Sequence, residues 1–252
     1  MIKTISTVVS FAAIITSVPM GAIAGGGHNS GWGYTGHAGP EHWANISEEF
    51  ALCGKGKEQS PINISDAKIS NLPAIQFDYK SGSLEILNNG HTIQVNDTAG
   101  SNITVGGEKY KLLQFHFHTP SENIVDGKVF PKEMHLVHKN AKGQLAVVSV
   151  LTKAGAKNTA LDKIWAHMPS KAGDKKMLAS VNVNAAELLP TDRSYYSFKG
   201  SLTTPPCSEG VKWMVLKMPI EASNTQIKQF AEVIGSNARP VQPVHARELS
   251  VM

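Results

Sequence analysis

The segment Leu113-Gln114-Phe115-His116-Phe117-His118-Thr119 constrains the fold more than any other part of the chain. Side chains alternate faces along an extended strand, so Gln114, His116 and His118 share one face while Phe115 and Phe117 share the other. The aromatic face requires an apolar core, and the polar face requires partners for its imidazoles. A second segment, Lys132-Glu133-Met134-His135-Leu136-Val137-His138, alternates in the same way. It puts Glu133, His135 and Val137 on one face and Met134, Leu136 and His138 on the other.

Two imidazoles two residues apart on one strand can chelate a single ion, and His135 is the natural third ligand. His138 points away. Three neutral imidazoles on rigid strands suit zinc, and three protein ligands leave a tetrahedral site with one position open to water, as in a catalytic site. A ligating histidine donates its second ring N–H to an acceptor that fixes tautomer and orientation. Gln114 and Glu133 are the candidates for that part.

Around these segments lie further β-type runs, Leu84 to Leu87, His91 to Val95, Leu145 to Leu151 and Val211 to Leu216, with turn residues between them. The Asn89-Gly90 pair predicts a tight turn, with His91 opening the next strand. Helical spacing appears only over Ala160 to Met168 and Asn224 to Ile234. The pattern is a mainly β, α+β fold with peripheral helices. No repeat or low-complexity tract divides it, so one domain is expected over residues 25–252. The Gly-rich opening stretch, Gly25 to Pro40, is expected to lie along the surface, pinned by Trp32, Tyr34 and Trp43.

Residues 1–24 read as an export signal: Lys3, an apolar run from Ile5 to Val18, then the small-residue stretch ending at Ala24. The run is short for a membrane span, and none follows, so the mature chain is expected to be soluble, periplasmic or secreted. With a net charge of only +4 and scattered Lys and Arg, nucleic acid is an unfavourable partner. The two cysteines, Cys53 and Cys207, suit a disulfide in an exported protein, with two buried thiols as the alternative. In the loop-entropy account such a long loop stabilises by roughly 4 to 5 kcal/mol.

The histidine strands, Gln114-Phe115-His116-Phe117-His118 and Glu133-Met134-His135-Leu136-Val137-His138, closely resemble the zinc strands of the α-class carbonic anhydrases. The likeness to that family extends along the chain, through Trp32-Gly33-Tyr34, Gly39-Pro40-Glu41-His42-Trp43, Gln59-Ser60-Pro61-Ile62-Asn63-Ile64, Asn88-Asn89-Gly90-His91, Gly200-Ser201-Leu202-Thr203-Thr204-Pro205-Pro206-Cys207 and Asn237-Ala238-Arg239-Pro240, in the expected order.

The resemblance implies reversible hydration of carbon dioxide to bicarbonate and a proton. It also implies one domain around a central, mostly antiparallel, twisted sheet of about ten strands. It assigns Val137, Val147 and Leu202 to an apolar wall for carbon dioxide. Thr203 becomes the residue that orients the attacking hydroxide and donates to Glu122, and Thr204 helps to bind bicarbonate. His91 becomes the proton shuttle, an imidazole whose ordinary pKa of about 6.5 suits that task, with Asn89 and Tyr34 lining its water path. Gln94 joins the cleft face if register allows. Cis prolines are implied at Ser60-Pro61 and Pro205-Pro206.

Two departures stand out: Asn123, where relatives commonly carry histidine, and Phe198, where many carry tyrosine. A noncatalytic periplasmic zinc-binding or adhesion module is the second reading, and a zinc esterase the third. His91, Glu122 and Thr203 together favour the enzyme, because a binding module needs neither shuttle nor hydroxide-orienting group. The chain is expected to act as a monomer or homodimer.

Overall fold

A computed structural model describes residues 31–252; the expected signal segment over residues 1–24 and the first part of the opening stretch, residues 25–30, lie outside the described residues. The strands are β1 (Asn63–Ile64), β2 (Lys68–Ile69), β3 (Gln76–Asp78), β4 (Gly82–Asn88), β5 (Ile93–Asn96), β6 (Asn102–Val105), β7 (Glu108–His118), β8 (Ile124–Val125), β9 (Lys132–Asn140), β10 (Leu145–Ala154), β11 (Lys175–Val183), β12 (Tyr195–Ser201), β13 (Glu209–Ala222) and β14 (Ser250–Val251). Twelve of them form one sheet, whose main path runs β11-β4-β5-β7-β9-β10-β13-β12-β14-β2, with β6 bonded to β7 and β3 to β6. The pairing is antiparallel except between β10 and β13 and between β14 and β2. The two-residue strands β14 and β2, added beyond β12, take the number beyond the ten or so expected.

At the centre β7, β9 and β10 are covered on both faces. On one face Phe115, Phe117, Met134, Leu136, Val148 and Val150 pack into the larger core. Two helices, Thr159–Trp165 and Asn224–Ile234, cover it with Ile164, Trp165 and Phe230. Each helix starts where the sequence offers a cap: the Asn158 side chain accepts from Ala160 and Leu161, and Ser223 and Gln226 form a capping box. The Gln226 amide also donates to Asn158 O and Asp162 Oδ1, each at 2.7 Å, which locks the two helix starts together. The first helix stops short of the expected Met168, because Pro169 disfavours helical backbone in the residue before it.

The opposite face carries Val137, Val147, Val211, Trp213 and Val215 in a second core. One irregularity sets which residues reach it. In the β7–β9 pairing Leu112 faces His138, yet Gln114 faces Val137, so Leu113 is an extra residue that bulges out of the ladder. Leu112 therefore points into the larger core, while Gln114, His116 and His118 turn to the other side.

The third apolar cluster holds Trp43, Cys53 and Cys207, the cysteines joined as a disulfide. Trp43 Nε1 donates to Gly33 O and Ala38 O, and Trp32 and Tyr34 meet its ring edge-on, which pins the described part of the opening segment. Beside the disulfide, buried Arg239 donates to Gln59 Oε1, Ser60 O and Cys53 O at 2.9, 2.7 and 2.8 Å. The peptide bonds before Pro61, Pro120 and Pro206 are cis, the second of these not expected from the sequence.

Lys132 is an unusual member of the larger core. It is 1% exposed, and its Nζ lies 3.3 Å from the centre of the Phe230 ring, with no hydrogen-bond partner among the described residues. Burial pushes its amine well below the ordinary value of 10.5. Between the folded and unfolded values the unfolded chain holds more protons, so stability rises with pH through that window. Lys132→Met should therefore raise stability near neutral pH by about 1–3 kcal/mol. It should also flatten the rise on the alkaline side, as read by thermal melting over a pH series.

Candidate metal centre

Register brings the three histidines together. His116 stands directly opposite His135 in the β7–β9 ladder, and His118 opposite Glu133. One ring nitrogen from each of His116, His118 and His135 lies within 4.8 Å of the others. The remaining nitrogens each face an acceptor. His116 Nδ1 meets Gln114 Oε1 at 2.8 Å, His118 Nδ1 meets Asn237 O at 2.8 Å, and His135 Nε2 lies 2.9 Å from Glu133 Oε1. The free nitrogens are thus Nε2 of His116, Nε2 of His118 and Nδ1 of His135. Buried His118 Nε2 has no hydrogen-bond partner among the described residues. An orphaned imidazole nitrogen beside two others, each ring held by its far side, is a donor set that fits a dication.

Gln114 stands behind His116 and Glu133 behind His135, and a third acceptor, the main-chain oxygen of Asn237, stands behind His118 with no signal in the local sequence pattern. Glu133 is the most heavily bonded group in the site. Its Oε2 accepts from the amides of Glu122 and Asn123, each at 2.7 Å, and its Oε1 from Asn123 Nδ2 at 2.7 Å and Ser149 Oγ at 2.5 Å. Burial alone would raise its pKa; neighbouring His135 and the bonds from His135, Ser149 and Asn123 outweigh burial and hold it down at about 2. Asn123, a departure from the family pattern, is therefore part of the support. Phe198, the other departure, stacks parallel to Trp213 with ring centres 5.9 Å apart.

The imidazoles respond in kind. Burial, then repulsion from His118 and His135, pushes His116 well down; burial and His135 bring His118 to about 3. Burial pulls His135 down too, but the carboxylates of Glu133 and Glu122 outweigh it and raise the ring above its ordinary value. Glu122 Oε2 sits 3.5 Å from His118 Nε2 and 3.8 Å from His135 Nδ1. Burial lifts Glu122 to about 7, against the pull of His135, the Arg239 amide and the Thr203 hydroxyl. Arg239 N donates to Glu122 Oε1 at 2.9 Å.

Val137 and Val147 face each other across β9 and β10, and Leu202 packs against the same cluster. Thr203 is buried, whereas Thr204 is half-buried and its carbonyl accepts from Cys207 N. Gln94 stands opposite His116 in the β5–β7 ladder, so register does put it on the histidine face.

His91, expected to open β5, instead lies in the turn before Ile93. Asn89 Oδ1 accepts from the amides of His91 and Thr92, so those donors are bonded locally rather than to a strand. Its ring stacks on Trp32 with centres 3.7 Å apart and planes 8° from parallel, and meets Tyr34 edge-on at 6.4 Å. Burial lowers its pKa. Tyr34 is raised well above its ordinary value by burial and by the charge of Glu122. His138 faces the other core, as parity required, within 2.8 Å of the Tyr79 hydroxyl.

Removing the charge of Glu133 tests its hold on the metal face. Glu133→Gln should weaken divalent-metal affinity by about 10- to 100-fold, as measured by competition with a chelator.

Comparison with known proteins agrees with this architecture. Residues 38–252 match the family model for eukaryotic-type carbonic anhydrase. A carbonic anhydrase from Neisseria gonorrhoeae is 48% identical over 238 residues, covering 94% of each chain. The α-carbonic anhydrase of Thermovibrio ammonificans, solved with the inhibitor sulfanilamide, superposes with a TM-score of 0.85 at 44% identity, over 90% of this chain and 100% of that one. The α-carbonic anhydrase of Photobacterium profundum gives 0.82 at 47% identity, over 86% and 99%. With the matched residues running through every element of the site, this chain belongs to the α-carbonic anhydrase family.

Proposed function

We infer that this enzyme, a carbonic anhydrase that hydrates carbon dioxide reversibly to bicarbonate and a proton, works with zinc held by His116, His118 and His135. The observation that carries the zinc reading is the set of three converging ring nitrogens, each ring fixed from behind by Gln114, Asn237 or Glu133. Bound zinc lowers the pKa of water to about 7 and so supplies hydroxide at neutral pH, a figure that comes from carbonic anhydrases themselves.

The chain's own residues supply the rest. Val137, Val147 and Leu202 offer an apolar surface to an uncharged, apolar substrate. The Thr203 hydroxyl donates to the Glu122 carboxylate, whose ionised form the Arg239 amide favours, and so keeps its lone pairs to accept from the nucleophile. Thr204 assists bicarbonate. His91 takes the product proton on its imidazole and passes it to buffer, with Asn89 fixing the turn and Tyr34 beside the ring. A noncatalytic module would need none of these groups, and that reading is not favoured. Export to the periplasm or beyond is supported by the Cys53–Cys207 disulfide, since such bonds persist in oxidising compartments. Among the described residues no helix is long and apolar enough to cross a membrane.

Stopped-flow hydration of carbon dioxide tests the zinc assignment. Activity should vanish with a chelator, return with zinc, and fall to background in His116→Ala; a chelator-resistant rate would refute it. His91→Ala should slow turnover in weak buffer by about tenfold or more, with recovery on adding imidazole.

A further inference from the structure

The segment Asn237-Ala238-Arg239-Pro240 contributes a main-chain acceptor to His118, an amide to Glu122 and the Arg239 guanidinium to the loop beside the disulfide. The Asn237 side chain, 1% exposed, does more. Its Nδ2 donates to His91 O at 3.0 Å and to Phe117 O at 2.9 Å, and its Oδ1 accepts from Thr119 N at 2.8 Å. All the hydrogen-bonding capacity of one carboxamide that these partners can use is thus spent on joining the turn that holds His91 to the end of β7 that holds His118. The contact on His118 itself is separate, because it runs to the main-chain oxygen of Asn237.

The His91 turn has two other anchors. Asn88 bonds the segment before β11: its N–H donates to Asp174 O, its carbonyl accepts from Gly173 N, and its Nδ2 donates to Pro169 O. Thr92 Oγ1 donates to Phe117 O. Neither touches the His91 peptide. Asn89 Oδ1 holds its N–H, and Asn237 alone among the described side chains holds its carbonyl. A small rotation of that peptide would swing the imidazole off Trp32 and change its distance from the three-histidine centre.

We propose that the Asn237 carboxamide is a positioning residue for proton export, fixing the His91 turn against the metal-bearing strand. The proposal rests on His91 being the shuttle. Proton export follows the bond-forming step, so loosening the turn acts on kcat and much less on kcat/KM.

The test uses the full mature chain, loaded with zinc, as wild type, His91→Ala, Asn237→Asp and Asn237→Ser. Aspartate keeps the shape and the acceptor for Thr119 N but removes the amide donors; serine serves if the buried carboxylate prevents folding. In weak buffer kcat should fall about tenfold in the Asn237 variants, kcat/KM no more than about twofold, and added imidazole should restore kcat. Hydrogen exchange at the His91 and Thr92 amides should quicken, with no large change across β7 and β9.

Three outcomes overturn the proposal in distinguishable ways. If His91→Ala leaves weak-buffer turnover unchanged, the shuttle reading fails and this inference falls with it. If His91→Ala slows turnover but the Asn237 variants do not, only the positioning role fails. If the Asn237 variants lose kcat/KM and kcat together, or lose zinc, the carboxamide supports the metal site and not proton export.

Discussion

A sheet can present a metal site only if its ladder holds the right residues opposite one another, and here that burden falls on the pairing of β7 with β9. A slip of one residue would carry His116 and His118 into the apolar core and Phe115 and Phe117 into the cleft. Both errors are prevented together, because the larger core accepts only the aromatic set. The bulge at Leu113 sharpens this: upstream of it the same strand obeys the opposite parity, so two different demands are met by one continuous strand. The hydrophobic core and the imidazole face are two sides of one register.

The second condition is electrostatic. Two buried imidazoles, the half-buried His116 and two buried carboxylates lie within a few ångströms, an arrangement that would be costly if any buried group lacked its partner. Glu133 meets the condition with donors from two main-chain amides, Asn123, Ser149 and His135. Glu122, with fewer donors, is lifted by burial to about 7. Buried Arg239 gives Glu122 its amide and gives its own guanidinium to the loop carbonyls beside the disulfide. Burial brings that guanidinium down only to about 10, so it stays charged at neutral pH.

Much of this was legible in the sequence, and the boundary is physical. Strand alternation found His116, His118, His135, Gln114 and Glu133, and dismissed His138, because parity is a local property of the chain. Family likeness named Glu122 and Thr203, which local pattern would leave as a carboxylate and a stiff turn. What escaped depends on register or on distant closure. Ser149 is visible only once β10 is aligned with β9, Trp32 only once the opening segment returns to stack on His91, and Asn237 only once the chain end reaches β7. His91 was displaced from strand to turn because the Asn89 side chain competes for its amide, a contest that β-propensity does not register.

The order of the chain separates the three ligands from part of what would use them. His116, His118 and His135 come from neighbouring strands joined by a short excursion, and the loop they close is cheap in entropy. Leu202, Thr203 and Asn237 arrive from the last quarter of the sequence. During synthesis, which proceeds from the N-terminus, the three imidazoles are complete in sequence well before Leu202 and Thr203 follow. Variation at Leu202 and Thr203 is accordingly the inexpensive route by which this scaffold would give up chemistry and keep its ion, whereas Asn237 serves both ends, because its main-chain oxygen holds His118.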